Sequence, residues 1–493
     1  MVLAISASVR AQEFVEQTNG MKVVRQSADA MNIYGSGGNP AWLFFSQEES
    51  ALRVHLSTRS STGGYHRPFE PGYENSYEYC VEGARELAGR HAVKGQFGFQ
   101  QELRGDWRWM STKSYDNGSP FLLADSTVGA TSYSGIVLSG IYSVLLSDGF
   151  VAGAQLNYGV NNGLKEVSPK PTSTNRDLST ILGVAYILDK TSVIGLMFKY
   201  ADRQEEIVYQ VDQGAISQQT ILYKFRGIDS YLRVTNNTET RRSQFRSYRG
   251  IVNIAMNVEE NTAIVADGGG GVETISLTDG GTSPISQGYW QNSIGEIHLR
   301  AQRSWNDLII AAAVEYLMSN QWARHPMYDV TLMKRSDRHA SFGIGSRFSL
   351  AESWKLAGEY LYTQETDRLD DFISVLTSDA RRTLHEISAG AEWDVAKETA
   401  LSLYYSFGLG SGTKPSIAIP SPTQMYVTLR SREFDYFRAR TLSNGINAGV
   451  RFNGGFLGRV ACTARVGLLS VDNTAVFKGT DRRVADFSVN FLF

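Results

Sequence analysis

Glu296, His298 and Arg300 stand at alternate positions in the run GEIHLR. A carboxylate, an imidazole and a guanidinium on one side of an extended chain can pass a proton, pair with one another, or hold a charged solute. Catalysis needs more, namely a nucleophile, a base in reach of it, and a group that orients the base. The 7 histidines (His55, His66, His91, His298, His325, His339 and His385) are scattered, and none lies in G-x-S-x-G or H-E-x-x-H. No Cys/His cluster has metal spacing. Asp267-Gly268-Gly269-Gly270-Gly271 lacks the Lys-Ser/Thr of a phosphate loop and reads as a bulge or an early loop. No enzyme, cofactor or metal is expected. Arg347, Glu359, Glu386, Glu392, Arg451 and Arg465 join the trio as charges expected on one common face, either a solvated wall with internal ion pairs or a region that selects solutes.

Such charges need an element that keeps them apart from apolar neighbours, and the chain is full of one. Between Val93 and Trp109, the set Val93, Phe97, Phe99, Leu103, Trp107 and Trp109 alternates with Lys94, Gln96, Gln100, Glu102, Arg104, Asp106 and Arg108. Period 2 marks a strand with two unlike faces. A slip of one residue would carry all those charges into an apolar medium, so the register is strongly specified. The pattern returns in Val252–Val258, Leu308–Met318, Leu401–Phe407 and Ile446–Phe452.

Tight polar turns fall at 88–90, 147–149, 189–190, 259–261, 305–307, 351–353, 396–398 and 453–455. Between them lie longer irregular stretches near 61–73, 113–128, 164–175, 210–239, 278–288, 325–334, 370–379, 413–435 and 472–480. Short turns alternating with long loops are the habit of transmembrane barrels. The expected fold is therefore all-β: a transmembrane antiparallel β-barrel of about 18 strands (range 14–18), with the first strand paired to the last. No stretch reaches the roughly 18 apolar residues of a spanning helix. The mean hydropathy of −0.24 does not oppose the barrel, because only alternate residues would face lipid. With a net charge of −2, nothing suggests bulk electrostatic binding of nucleic acid, and none is expected.

Residues 51–493 are assigned to the barrel. Residues 12–50 lack strong alternation and either plug it or lead into it. Residues 1–11 read as a signal-peptide remnant, with Val9 and Ala11 at −3 and −1 of a cleavage site. Cys80 is expected to face inward and Cys462 outward, which argues against their pairing. Arginines crowd the expected outer ends: Arg226, Arg233, Arg241, Arg242, Arg246 and Arg249, then Arg381 and Arg382, then Arg430, Arg432, Arg438 and Arg440. They suit solvated loops, an anionic solute or lipopolysaccharide phosphates. Trp107, Trp109, Tyr158, Tyr200, Trp290, Trp305, Trp322, Trp354, Tyr360, Tyr362 and Trp393 near strand ends read as an interfacial girdle, or as a track on which sugars stack.

The chain ends RRVADFSVNFLF, with Phe487, Val489, Phe491 and Phe493 on one face. This terminus resembles the final-strand signal read by the barrel-assembly machinery of Gram-negative outer membranes. YGSGGNPAWLFF, with Asn39-Pro40-Ala41, is similar to a segment of fatty-acid-transporter-type barrels and of related barrels in Bacteroidota. The resemblance implies a multi-pass outer-membrane barrel in contact with lipid and lipopolysaccharide. The leading expectation is a channel or transporter for a small polar or amphipathic solute, with Glu296, Arg300, Arg347, Arg451 and Arg465 placed along the path by their expected inward positions. The rival expectation is a non-conducting platform for a surface lipoprotein, a secretion system or another transporter.

Overall fold

The computed structural model describes residues 38–45 and 51–493, less 88, 111, 115–117, 168, 190–191, 211–220, 228–229, 236–237, 260, 414–415, 418–424, 426, 472–476 and 478. The leader assigned to 1–11 and most of 12–50 lie outside the described residues. The strands run β1 (Ala51–Thr62), β2 (Tyr73–Leu87), β3 (His91–Trp107), β4 (Leu123–Asp125), β5 (Gly129–Ser147), β6 (Phe150–Lys165), β7 (Thr172–Asp189) and β8 (Ser192–Tyr209). They continue with β9 (Ile221–Phe225), β10 (Tyr231–Thr235), β11 (Glu239–Glu259), β12 (Thr262–Asp279), β13 (Ile285–Trp305), β14 (Leu308–His325) and β15 (Val330–Ala351). The remainder are β16 (Trp354–Asp371), β17 (Leu376–Ala396), β18 (Thr399–Gly412), β19 (Ser416–Ile417), β20 (Thr441–Asn453), β21 (Arg459–Val471) and β22 (Asp481–Leu492). A seven-residue helix, α1 (Arg432–Arg438), precedes β20.

Eighteen strands close into one antiparallel barrel. β1 pairs with β2 on one side and β22 on the other, with Val54 opposite Phe491 and Thr58 opposite Phe487. Closure leaves no edge whose N–H and C=O groups would lack partners. Alternation decides the two faces. Leu52 and Leu56, Val252 and Val258, Val314 and Met318, Leu401 and Leu403, and Phe487 all stand exposed on the outside. A band of bare apolar side chains around a whole molecule far exceeds what a water-solvated protein shows, so the outer face is a surface for hydrocarbon. Asn253, Glu273, Asp337, Glu386 and Arg465 are buried on the inside. Cys80 lies opposite His55 on the inner face, Cys462 lies opposite Val489 on the outer face, and both are free thiols.

Three expectations need correction. The stretches 325–334 and 370–379 are not long loops: β14 and β15 are separated by residues 326–329, and β16 and β17 by 372–375. Their polar residues belong to strands that continue past the apolar band, where the ladder still satisfies the backbone, the outer face turns polar and the inner face packs on the loops that fill the mouth. Gly268–Gly271 is neither bulge nor loop, since it pairs in unbroken register with β11 and β13. Trp107 and Trp290 are not girdle residues, since both are buried inside. After Arg104 the register shifts, Asp106 takes φ 50, and Trp107 turns in to donate its Nε1–H to the Phe69 carbonyl at 2.8 Å. Trp290 shares the inner face with Asn292. Trp354 and Trp393 do stand outside, stacked at 5.4 Å near the short turns.

Candidate functional site

At mid-height the interior carries a belt of charge. Arg249 on β11 donates from Nη2 to Glu273 Oε1 at 2.6 Å, and its Nη1 lies 3.7 Å from Glu296 Oε2 on β13. To reach β13 the guanidinium must cross β12. Gly269 and Gly271 allow this, because a methyl at Gly271 would overlap the Arg249 side chain and one at Gly269 would press on Ile251. The glycine run is thus a trough that lets one arginine serve two strands. His298 Nε2 sits 3.8 Å from Glu296 Oε2, Asp267 is the cross-strand partner of His298, and Lys199 is that of Arg249. Asn292 Nδ2 donates to Glu273 Oε2 at 3.2 Å. Both signs of charge therefore meet on four adjacent strands, β8, β11, β12 and β13.

The long-loop mouth is filled by its own loops. Tyr65 and Tyr436 stack at 4.4 Å, with Phe477 edge-on, and pack on Leu384, Leu469 and Val484 of the inner wall. Phe69, Met110, Ala124, Phe225 and Leu429 form a second apolar cluster against Trp107 and Tyr133. β4, β9 and β10 make a small sheet there. Ion pairs tether these loops to the wall. Lys165 of β6 donates to both Asp125 oxygens at 3.0 and 2.9 Å with its side chain fully buried. Lys224 of β9 sits 2.8 Å from Asp279 of β12, which Arg241 also holds through two bonds, at 2.7 and 3.0 Å. Arg67, between β1 and β2, pairs with Glu433 of α1 and so joins two of the loops to each other. Burial pushes the Tyr65 phenol up to about 12 and lowers the Lys113 ammonium to about 8.

Near the short turns another segment enters the barrel. The turn Pro40–Phe45 lies against the inner faces of β5, β6 and β7, with Ala41 and Trp42 buried. Methyl groups at Gly153, Gly183 or Gly195 would overlap Pro40–Ala41 or Asn39. Asn39 donates to the Val184 carbonyl at 3.2 Å, and Ser143 Oγ to the Ala41 carbonyl at 3.0 Å. Residues 39–45 thus cover part of the lumen wall at this end.

The structure separates the nine charges singled out from the sequence into groups. Glu296, His298 and Arg300 share the inner face of β13 within the mid-height belt. Arg347 bonds Glu392 Oε2 at 3.2 Å, one step toward the short turns, and Tyr404 also donates to Glu392. Glu386 is buried on β17 beside Glu359 of β16. Arg465 is tied to Asp486 at 3.2 Å. Arg451 stands exposed at the short-turn rim, apart from the rest. Arg249, Lys199, Glu273 and Asp267 were missed as lumen residues. Arg249 and Arg241 had been grouped with loop arginines, yet alternation from outward-facing Val252 puts both on the inner face and Arg242 and Arg246 outside. Phe487, Val489 and Phe491 lie on the outer face of β22, and Phe493 follows it exposed, with the Phe491 and Phe493 rings 6.5 Å apart.

The search of curated proteins finds no relative of this chain. Among solved structures it is similar to the siderophore receptor PiuA from Acinetobacter baumannii, at 9% identity and TM-score 0.42, covering 91% of this chain and 82% of that one. The ferric yersiniabactin uptake receptor FyuA from Yersinia pestis gives 9% and 0.42 over 91% and 81%. The TodX monoaromatic hydrocarbon channel, as a deletion mutant, gives 12% and 0.34 over 94% of each chain. At these scores no solute or role is carried over. Residues 40–493 match the model of a family of unknown function (DUF6850), and the chain belongs to that family.

Proposed function

We propose that the protein is an outer-membrane barrel of a Gram-negative, Bacteroidota-like bacterium that passes a small polar or amphipathic solute and is closed at rest. The observation that carries this reading is the order of layers along the lumen: a tethered apolar plug of loops, a belt of both charges, then the Asn39–Phe45 turn. A wall built only for stability has no need of charges at mid-height, since buried ion pairs repay their desolvation poorly. A wet lumen reverses that logic, because charges there order and select what enters. Outer-leaflet lipid and the barrel-assembly machinery are the partners this reading requires, the latter through Phe487, Val489, Phe491 and Phe493. Glu296, His298 and Arg300 would meet the solute first below the plug, with Arg347, Glu392 and Arg465 beyond.

Conductance in planar bilayers tests it. Wild-type protein should show little steady current. The tether variant Lys165→Ala/Arg241→Ala, shown to be folded by heat-modifiable migration, should conduct, and adding Arg300→Glu should shift its ion selectivity toward cations. A folded tether variant that stays silent contradicts a path through the lumen. One observation favours the rival reading of a membrane platform: Ile285, Met327, Val330, Phe372 and Val375 stand bare at neighbouring long-loop hairpin tips, as a docking surface would. A silent barrel that co-purifies with a stoichiometric partner would support it.

A further inference from the structure

The outer face of β13–β16 carries a groove of about 830 Å³, lined by Asn320, Trp322, Arg324, Lys334, Ser336 and Arg368 among others. Its position along the wall is informative. On β15 the outward face runs Leu350, Phe348, Ser346, Ile344, Phe342 and Ala340, then becomes Arg338, Ser336 and Lys334. Roughly ten residues at about 3.3 Å each, tilted by about 40°, rise about 25 Å, the height of an apolar band in such barrels. The neighbours change at the same level: Met318 gives way to Asn320, Trp322 and Arg324 on β14, and Tyr362 to Gln364, Thr366 and Arg368 on β16. The groove therefore opens at the long-loop margin of the hydrocarbon face, where lipid head groups lie.

Its charge is unbalanced. Of its lining, Arg324, Lys334 and Arg368 face outward against Asp329 and Asp370; just beyond it stand Arg338 and, opposite Arg368, Asp379. Asp329 engages Arg324, and Asp370 lies 3.6 Å from Arg368. Among the described residues neither Lys334 nor Arg338 makes an ion pair; Lys334 rests 6.0 Å over the Phe372 ring. Arg335, also at the groove, is spoken for from inside by Asp367 and Asp337. Trp322 adds an aromatic plane at the boundary, packed 5.4 Å from Tyr289.

We propose that this groove binds the phosphorylated head group of an outer-leaflet glycolipid. Lys334, Arg338 and Arg368 take the phosphate oxygens, Trp322 lies along the sugar, and the acyl chains run down the apolar face below. The argument rests on charge complementarity and on continuity with the hydrocarbon band, and it depends on the outer-membrane reading above. The guanidinium fork and the ammonium are the groups that phosphate prefers. Lys334 and Arg338, held at a membrane margin without an ion pair, would gain one there.

Native mass spectrometry of the full chain in detergent, titrated with bisphosphorylated lipid A and with its dephosphorylated form, tests the assignment. Wild-type protein should retain one phosphorylated molecule. The variant Lys334→Gln/Arg338→Gln/Arg368→Gln should weaken retention about tenfold or more, corresponding to about 1.4 kcal/mol. These side chains lie outside the barrel wall, so the variant should migrate as a folded barrel. Equal retention of the two lipids, or retention unchanged in the variant, overturns the proposal. A co-purifying polypeptide that is lost with the variant also overturns it, in favour of a protein partner. Failure of the outer-membrane reading is seen separately, as a wild-type chain that does not insert into phospholipid vesicles.

Discussion

At the scale of single residues, the interior keeps its charges in pairs, and one residue shows what that costs. Lys113 lies in the loop that folds into the long-loop mouth; its backbone N–H donates to Glu205 at 2.6 Å, and its ammonium sits 5.7 Å from the Tyr133 ring. Burial lowers its pKa to about 8, outweighing the pull of Glu102. The folded state then binds fewer protons than the unfolded state between pH 8 and the ordinary lysine value of about 10.4, so stability rises with pH through that window. Below pH 8 the full cost of the buried ammonium is present. Urea unfolding of the detergent-solubilised barrel should show a midpoint that climbs from pH 8 to pH 10. Lys113→Met should remove the climb over that range, and an identical slope in wild type and variant would rule out the assignment. Arg249 shows the opposite balance: with Glu273 and Glu296 both in reach, its charge is matched from two strands.

At the scale of elements, the strands were legible because their two solvents differ. The tight turns at 88–90, 147–149, 259–261, 305–307, 351–353 and 396–398 coincide with the strand breaks; Gly, Asp or Asn interrupts period 2 in the first four, and Glu-Ser and Lys-Glu do so in the last two. The upper reaches of β13–β17 were not legible, because above the apolar band the outer face turns polar while the inner face mixes apolar and polar residues under the plug, so the alternation is lost and the segment looks like loop. Nor was the inner plug: Phe69, Met110 and Phe121 belong to loops and Leu222 to the short strand β9, with no periodicity among them, and only the folded barrel brings them together. The Asn39–Phe45 turn is an element whose docking depends on bare backbone. Gly153 and Gly183 are direct cross-strand partners beneath it. Gly183→Val should overpack that site by about 2 kcal/mol and displace the turn. In a background lacking Cys80 and Cys462, a cysteine introduced by Ala41→Cys should be protected from maleimide, and Gly183→Val should expose it severalfold. Equal protection in both would show that the turn does not rest on this glycine surface.

At the scale of the whole molecule, the charged site was legible only as a face. Alternation placed Glu296, His298 and Arg300 together but could not say that Arg249 crosses the glycine trough to meet them, because that contact spans β11 to β13. It could not say that Arg451 would stand alone at the rim, because height along the barrel depends on the stagger of all the strands. The central claim is a cylinder wall with hydrocarbon outside and a polar, partly filled lumen inside, and every proposal depends on it. Nitroxide labels at successive positions 341–348 of β15, in a chain freed of Cys80 and Cys462 and reconstituted in phospholipid bilayers, test it most directly. Collision with dissolved oxygen should be high at 342, 344, 346 and 348 and low at 341, 343, 345 and 347, a clean period of two. A flat profile, or a reversed one with the odd positions in lipid, would contradict the account.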